Sequence, residues 1–140
     1  KTHKEFTDLK EEDKQILRVA MSRLNTAMLD HASVNSAIDV RVALESIFLA
    51  KDGGMGEYTF KIRLRASRFL SDDLDERMKL YSLFKDLYGL GSIAIHKGKL
   101  ENKKGNTPSQ LKDGYRYISE AIQKIIFNKG FPEWNKIDLS

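Results

Sequence analysis

The sequence predicts an all-α bundle of about five helices, and three observations carry that prediction. Apolar residues recur at helical spacing along most of the chain, as in Leu111, Tyr115, Ile118, Ile122, Ile125 and Ile126. No stretch reads convincingly as a strand. Polar and glycine-rich punctuation separates the periodic runs, at Asp52-Gly53-Gly54-Met55-Gly56 and again from Lys97 to Asn106. The 140 residues are 41% hydrophobic and 31% charged, enough for one core in one domain spanning 1–140. There is no internal repeat and no low-complexity stretch.

The first helix is expected from about Thr7 to Leu29, with Asp8 and Glu11 as a capping box and Ile16, Val19, Ala20, Leu24, Ala27 and Met28 as its apolar positions. The second, about Val34 to Ala50, carries Val34, Ala37, Ile38, Leu44, Ile47 and Phe48 on a broad apolar face, which marks a central helix. Three glycines in four residues then enforce a loop. The third, Glu57 to Leu70, keeps the helical period through Tyr58, Ile62, Ala66 and Phe69. The fourth starts after Asp72 or Asp73 and holds Leu74, Met78, Tyr81, Leu83, Phe84, Leu87 and Tyr88. Gly89 and Gly91 would each cost about 1 kcal/mol inside it, so either a break or support from neighbouring helices is expected there. The last helix opens at Thr107, with Pro108 in its first turn and Gln110 completing a capping box, and Gly130 closes it. Phe131-Pro132-Glu133-Trp134 is expected to fold back on the bundle.

Composition excludes several classes. There is no cysteine, so neither a disulfide nor a thiolate metal site can form. No apolar run approaches the roughly 18 residues that span a bilayer. The start, Lys1-Thr2-His3-Lys4-Glu5, has neither an initiating Met nor the apolar centre of a signal peptide, so a trimmed piece of a cytoplasmic protein is expected. The net charge of +4 permits phosphate binding without requiring it. The basic residues fall in two clusters, Lys61, Arg63, Arg65 and Arg68, then Lys97, Lys99, Lys103 and Lys104; Asp72, Asp73, Asp75 and Glu76 form an acidic knot. Solvated helix faces are the plain reading of such runs.

Familiar catalytic constellations are missing. Gly53-Gly54-Met55-Gly56 has no preceding strand and no following lysine, so it is no phosphate loop. His3, His31 and His96 are too far apart in sequence for a metal motif, and no metal or cofactor is expected. What remains is Leu87-Tyr88-Gly89-Leu90-Gly91-Ser92-Ile93-Ala94-Ile95-His96-Lys97-Gly98-Lys99. Here one histidine ends an apolar run and opens a basic loop, a proton-handling group beside cations that attract phosphate. A lone histidine of this kind is more often a packed or capping residue.

Three stretches together resemble the Apea-like branch of the HEPN superfamily: Ile38 to Leu49 (IDVRVALESIFL), Phe60 to Leu70 (FKIRLRASRFL) and Leu87 to Gly98. The Phe131-Pro132-Glu133-Trp134 tail is similar to that family's ending, and the likeness covers roughly 34–138. The resemblance implies a HEPN-type bundle, often a homodimer. It also implies a metal-independent endoribonuclease chemistry, in a defence or toxin setting, in which an arginine and a histidine act on RNA. The family's histidine falls on His96 and its serine on Ser92. The arginine position falls on Gly91, which has neither charge nor donor; losing such a charge costs 100- to 1,000-fold in rate on the usual scale. A degenerate, RNA-directed domain is therefore expected, and restoring the charge by Gly91→Arg suggests itself as a test. Glu45 matches an acidic position of the family, either orienting the motif or pairing with an arginine such as Arg65. Lys97, Lys99, Lys103, Lys104, Arg63 and Arg65 are the candidates for RNA contact. Tyr81 and Tyr88 read as core residues rather than stacking platforms for bases. The rival reading is a protein-interaction or dimerisation module. RNA binding gains if the basic loop lies beside His96 and the third-helix arginines; scatter over separate faces favours the rival.

Overall fold

A computed structural model describes residues 2–100 and 107–140, and every element in it is helical. The order is α1 (Thr2–Thr7), α2 (Glu11–Leu29), α3 (Val34–Phe48), α4 (Tyr58–Leu70), α5 (Leu74–Lys97), α6 (Thr107–Phe127) and α7 (Trp134–Leu139). Seven helices stand where five were expected, because a short helix, α1, precedes the first expected segment and the tail adds a short helix of its own. The first expected segment begins later than Thr7, at Glu11, with Lys10 extended and no side chain capping α2; the expected Asp8–Glu11 box does not form. Leu9, between α1 and α2, is buried in the core.

α3 and α5 are the centre of the bundle. α3 packs against α2, α4, α5 and α6, and α5 against α3, α4 and α6. Ser33 caps α3 by accepting from the Ser36 amide, and the Ser36 hydroxyl oxygen accepts in turn from the Ser33 amide. Asp73 caps α5 by accepting from the Glu76 amide at 2.9 Å. These bonds satisfy first-turn amides that have no partner within the helix. Val40, Ala43, Leu44, Ile47 and Phe48 from α3 meet Leu80, Phe84 and Leu87 from α5 in one core.

Pattern and packing disagree in places. On α2 the buried positions are Asp13, Leu17, Ala20, Leu24 and Ala27, whereas Val19 and Met28 are exposed. Leu74 and Met78 likewise face outward from the first turns of α5. The tail behaves as expected: Trp134 is buried, donates Nε1–H to the Ile47 carbonyl at 3.1 Å, and packs on Phe48 and Phe69.

α5 crosses Gly89 and Gly91 without a break. A Cβ added at Gly89 would meet nothing within 4 Å, but one at Gly91 would stand 2.5 Å from Arg41 Cβ and 2.9 Å from the Ala37 carbonyl. Gly91 is thus a point of close approach between α3 and α5, and the contact it permits offsets the entropy glycine costs a helix. Gly89→Ala should raise stability by about 0.5–1 kcal/mol, the ordinary helix-propensity gain. Gly91→Arg should lower it by about 1–3 kcal/mol, the usual penalty for overpacking. Urea denaturation of the pair checks the opposite signs. Equal effects would remove the packing argument.

Candidate functional site between α3 and α5

The interesting chemistry gathers where α3 crosses the C-terminal half of α5. Tyr88, Ser92 and His96 succeed one another at four-residue intervals on α5, so they share one side of that helix. Facing Tyr88 and Ser92, α3 presents Arg41 and Glu45, also one turn apart. Arg41 Nη1 donates to Ser92 Oγ at 3.2 Å, and Ser92 Oγ donates to the Tyr88 carbonyl at 3.2 Å. The Arg41 guanidinium carbon lies 4.9 Å from the Tyr88 ring centroid, a cation–π distance. Arg41 Nε is 3.8 Å from Glu45 Oε2, and the Tyr88 hydroxyl donates to that same oxygen at 2.9 Å. Burial, and then this bond to Glu45, push the Tyr88 phenol above its ordinary range.

These contacts replace the expected partner of Glu45. It does not pair with Arg65, because the Arg65 guanidinium is taken up by the Phe48 carbonyl at the C-terminus of α3, by the loop after it and by α7. The Arg65 side chain is 1% exposed. Its Nε and Nη2 each donate at 3.0 Å to the two carboxylate oxygens of Asp138. Its Nη1 donates to the Phe48 carbonyl at 2.7 Å and to Asp52 Oδ2 at 2.9 Å. Arg63 donates Nε–H to the Tyr81 carbonyl at 3.1 Å and covers the Tyr81 ring. Arg68 donates to the carbonyls of Ile137 and Asp138. The α4 arginines therefore fasten α5 and the C-terminal helix. Tyr81, beside Arg63, precedes His96 by fifteen residues of α5, or about 22 Å of helix.

The expected site residues therefore divide into groups. Ser92, Gly91, Glu45 and His96 lie at the α3–α5 crossing or within a turn of it. Lys97 and Lys99 are exposed and adjoin His96 in sequence. Lys103 and Lys104 lie outside the described residues. Arg63 and Arg65 are engaged elsewhere, with Tyr81 on α5 and with the end of α3 and α7 respectively. His96 is exposed in the last turn of α5, and Gly98 ends that helix in a left-handed conformation at φ 66°. A cation there suits the negative end of the helix dipole. Tyr88 is buried, as expected, while Tyr81 is only half-buried beneath Arg63.

The residue missed by sequence reasoning is Arg41. Its spacing of four from Glu45 on a mostly apolar helix was the available signal, since a charged pair at that spacing on such a face needs a reason. Among the described residues no group of three or more His, Asp or Glu side chains could hold a metal ion, and no helix is long and apolar enough to cross a membrane. No protein-family model, curated protein or solved structure matches this chain.

Proposed function

We propose that this chain is a HEPN-type, RNA-directed domain that works as a homodimer and has little or no ribonuclease activity, its motif arginine position being Gly91. The observation that supports this reading is that Gly91 and Ser92 meet Arg41 of α3 at one helix crossing, with His96 exposed one turn further along α5. Glu45 joins the same crossing through Arg41 and Tyr88, whereas Arg63 and Arg65 are committed to holding the fold. The RNA-contacting set is therefore Lys97, Lys99 and the end of α5, with Lys103 and Lys104 next along the chain. With glycine at 91, α5 itself brings no charge to a phosphate at His96, and a histidine alone can exchange a proton but cannot stabilise the developing phosphorane.

The test is binding of single-stranded RNA to the intact chain, followed by fluorescence anisotropy across a salt series. Binding should be weak and steeply salt-dependent, because each phosphate neutralised by a cation releases counterion. Changing Lys97, Lys99, Lys103 and Lys104 together to Ala should flatten that dependence. Incubated RNA should stay essentially intact. Strong cleavage that persists in His96→Ala would show that the site lies elsewhere. Absence of binding at low salt would sink the RNA reading and leave the dimerisation module, which the structural engagement of Arg63 and Arg65 favours. Sedimentation of the same protein should show a dimer, with a monomer at high micromolar concentration counting against that part of the reading.

A further inference from the structure

We infer that Arg41, supplied by α3, is the group that grips an RNA phosphate in this chain. It would place a positive charge beside Ser92 from a helix other than the one that carries His96. The inference rests on the RNA-directed reading above and goes past it by naming a residue that no motif identifies.

Geometry leads to it in three steps. First, the Arg41 stem occupies the space that a side chain on Gly91 would need, with Arg41 Cβ 2.5 Å and Cδ 3.2 Å from a Cβ placed there. The glycine at 91 thus lets α3 approach closely enough for the Arg41 stem to lie across α5 at this point. Second, the guanidinium is held at a fixed place. Tyr88 lies 4.9 Å beneath it, Ser92 accepts from Nη1 at 3.2 Å, and Glu45 stands 3.8 Å from Nε. An arginine locked this way loses little freedom when it binds an anion, and its planar fork matches two phosphate oxygens. Third, the lock is incomplete. The Arg41 side chain is 21% exposed and that of Glu45 33% exposed. The Glu45 contact is too long for a hydrogen bond, so a phosphate can compete for the fork. Ser92 lies one turn before His96 on α5, about 6 Å of rise, so a phosphate at Arg41 stands within a nucleotide's reach of His96 and Lys97.

Glu45 gives the inference a test of opposite sign. It partly neutralises Arg41, and its other contact, the Tyr88 hydroxyl, can be kept by an amide oxygen. Glu45→Gln should therefore tighten RNA binding several-fold and steepen its salt dependence, whereas a merely structural cluster would show no gain. Arg41→Gln preserves most of the stem against Gly91 but removes the charge. It should weaken binding of a short oligouridine about 10-fold, the scale of one charge-assisted contact, and lower the salt slope by about one. Arg41→Lys should restore the slope and only part of the affinity. In the unsubstituted, nitrogen-15-labelled chain, the Arg41 Nε–H and Ser92 amide resonances should shift on adding oligouridine and on adding uridine 3′-monophosphate. This measurement does not depend on any variant folding. If oligouridine binds and shifts the Lys97 and Lys99 amides but leaves Arg41 unmoved, with Arg41→Gln binding unchanged, the Arg41 assignment is overturned and the RNA reading stands. If oligouridine does not bind at low salt, both fall.

Discussion

Replacing Arg65 by methionine is expected to destabilise the protein by about 3–5 kcal/mol, the usual cost of breaking a buried ion pair from one side. Arg65 is the largest fully buried side chain, and it joins three parts of the chain. Asp52 comes from the loop after α3, the Phe48 carbonyl from the end of α3, and Asp138 from α7. Without the guanidinium, the Phe48 carbonyl loses its donor and two carboxylates face each other with no cation between them. Lys61, at 3.2 Å from Asp52, compensates only at one corner. Arg65→Lys should recover part of the loss, since it returns the charge but not the bidentate fork on Asp138. Trp134 is the only tryptophan and sits beside this cluster, so a red-shifted fluorescence in Arg65→Met would report undocking of the tail. Unchanged emission together with a loss below about 1 kcal/mol would contradict the clasp, since isolated exposed ion pairs contribute no more than that.

The same cluster sets an acid limit. The Gly54 amide first, then Arg65 and Lys61, hold the Asp52 carboxyl at about 2, below its ordinary 3.8 and against the opposing effect of burial. A folded-state value below the unfolded one means that the stabilisation is full above the unfolded value and is lost as pH falls toward the folded one. Stability should therefore drop between about pH 4 and pH 2. Asp52→Asn should be less stable at neutral pH and should show a shallower drop across that window.

The second large effect is expected at Phe48, where truncation to Ala should cost about 3–5 kcal/mol, as buried aromatic truncations do. Phe48 is fully buried at the end of α3. Its ring lies 5.9 Å from Phe84 on α5 and 5.4 Å from Trp134 on α7, so removing it opens a cavity between three helices. The neighbours cannot close this cavity easily: the Phe48 carbonyl is tied to Arg65 and the Trp134 indole to Ile47. Chemical denaturation with Trp134 emission as the readout should show a lowered midpoint with an unchanged slope. A changed slope would mean instead that the tail unfolds separately from the bundle.

Much of the fold was determined by the sequence itself. Helical period located α3, α4, α5 and α6 because burying one stripe of a helix demands apolar residues at that spacing. Gly53, Gly54 and Gly56 enforced the loop before α4, and Thr107-Pro108 marked the start of α6, since both act through local backbone preferences. Trp134 announced a docked tail because so large an apolar surface is costly to expose. Tertiary structure decided the rest. Period alone could not distinguish Leu17 from Val19 as the buried side of α2, because both satisfy an apolar pattern and only the position of α3 chooses. Nor could it show that α5 runs through Gly91, where the missing Cβ is an accommodation to Arg41 and Ala37 fifty or more residues earlier. Arg65 read either as a candidate for RNA contact or as a partner for Glu45, yet it was drawn inside by Asp52 and Asp138, one nearby in sequence and one 73 residues away. Arg41 passed unremarked for the same reason: its meaning lies in Ser92 and Tyr88 across the helix crossing. Periodicity and turn chemistry are local, so the chain declares them; the partners of a charge are set by which helices meet, and that is settled only when the bundle closes.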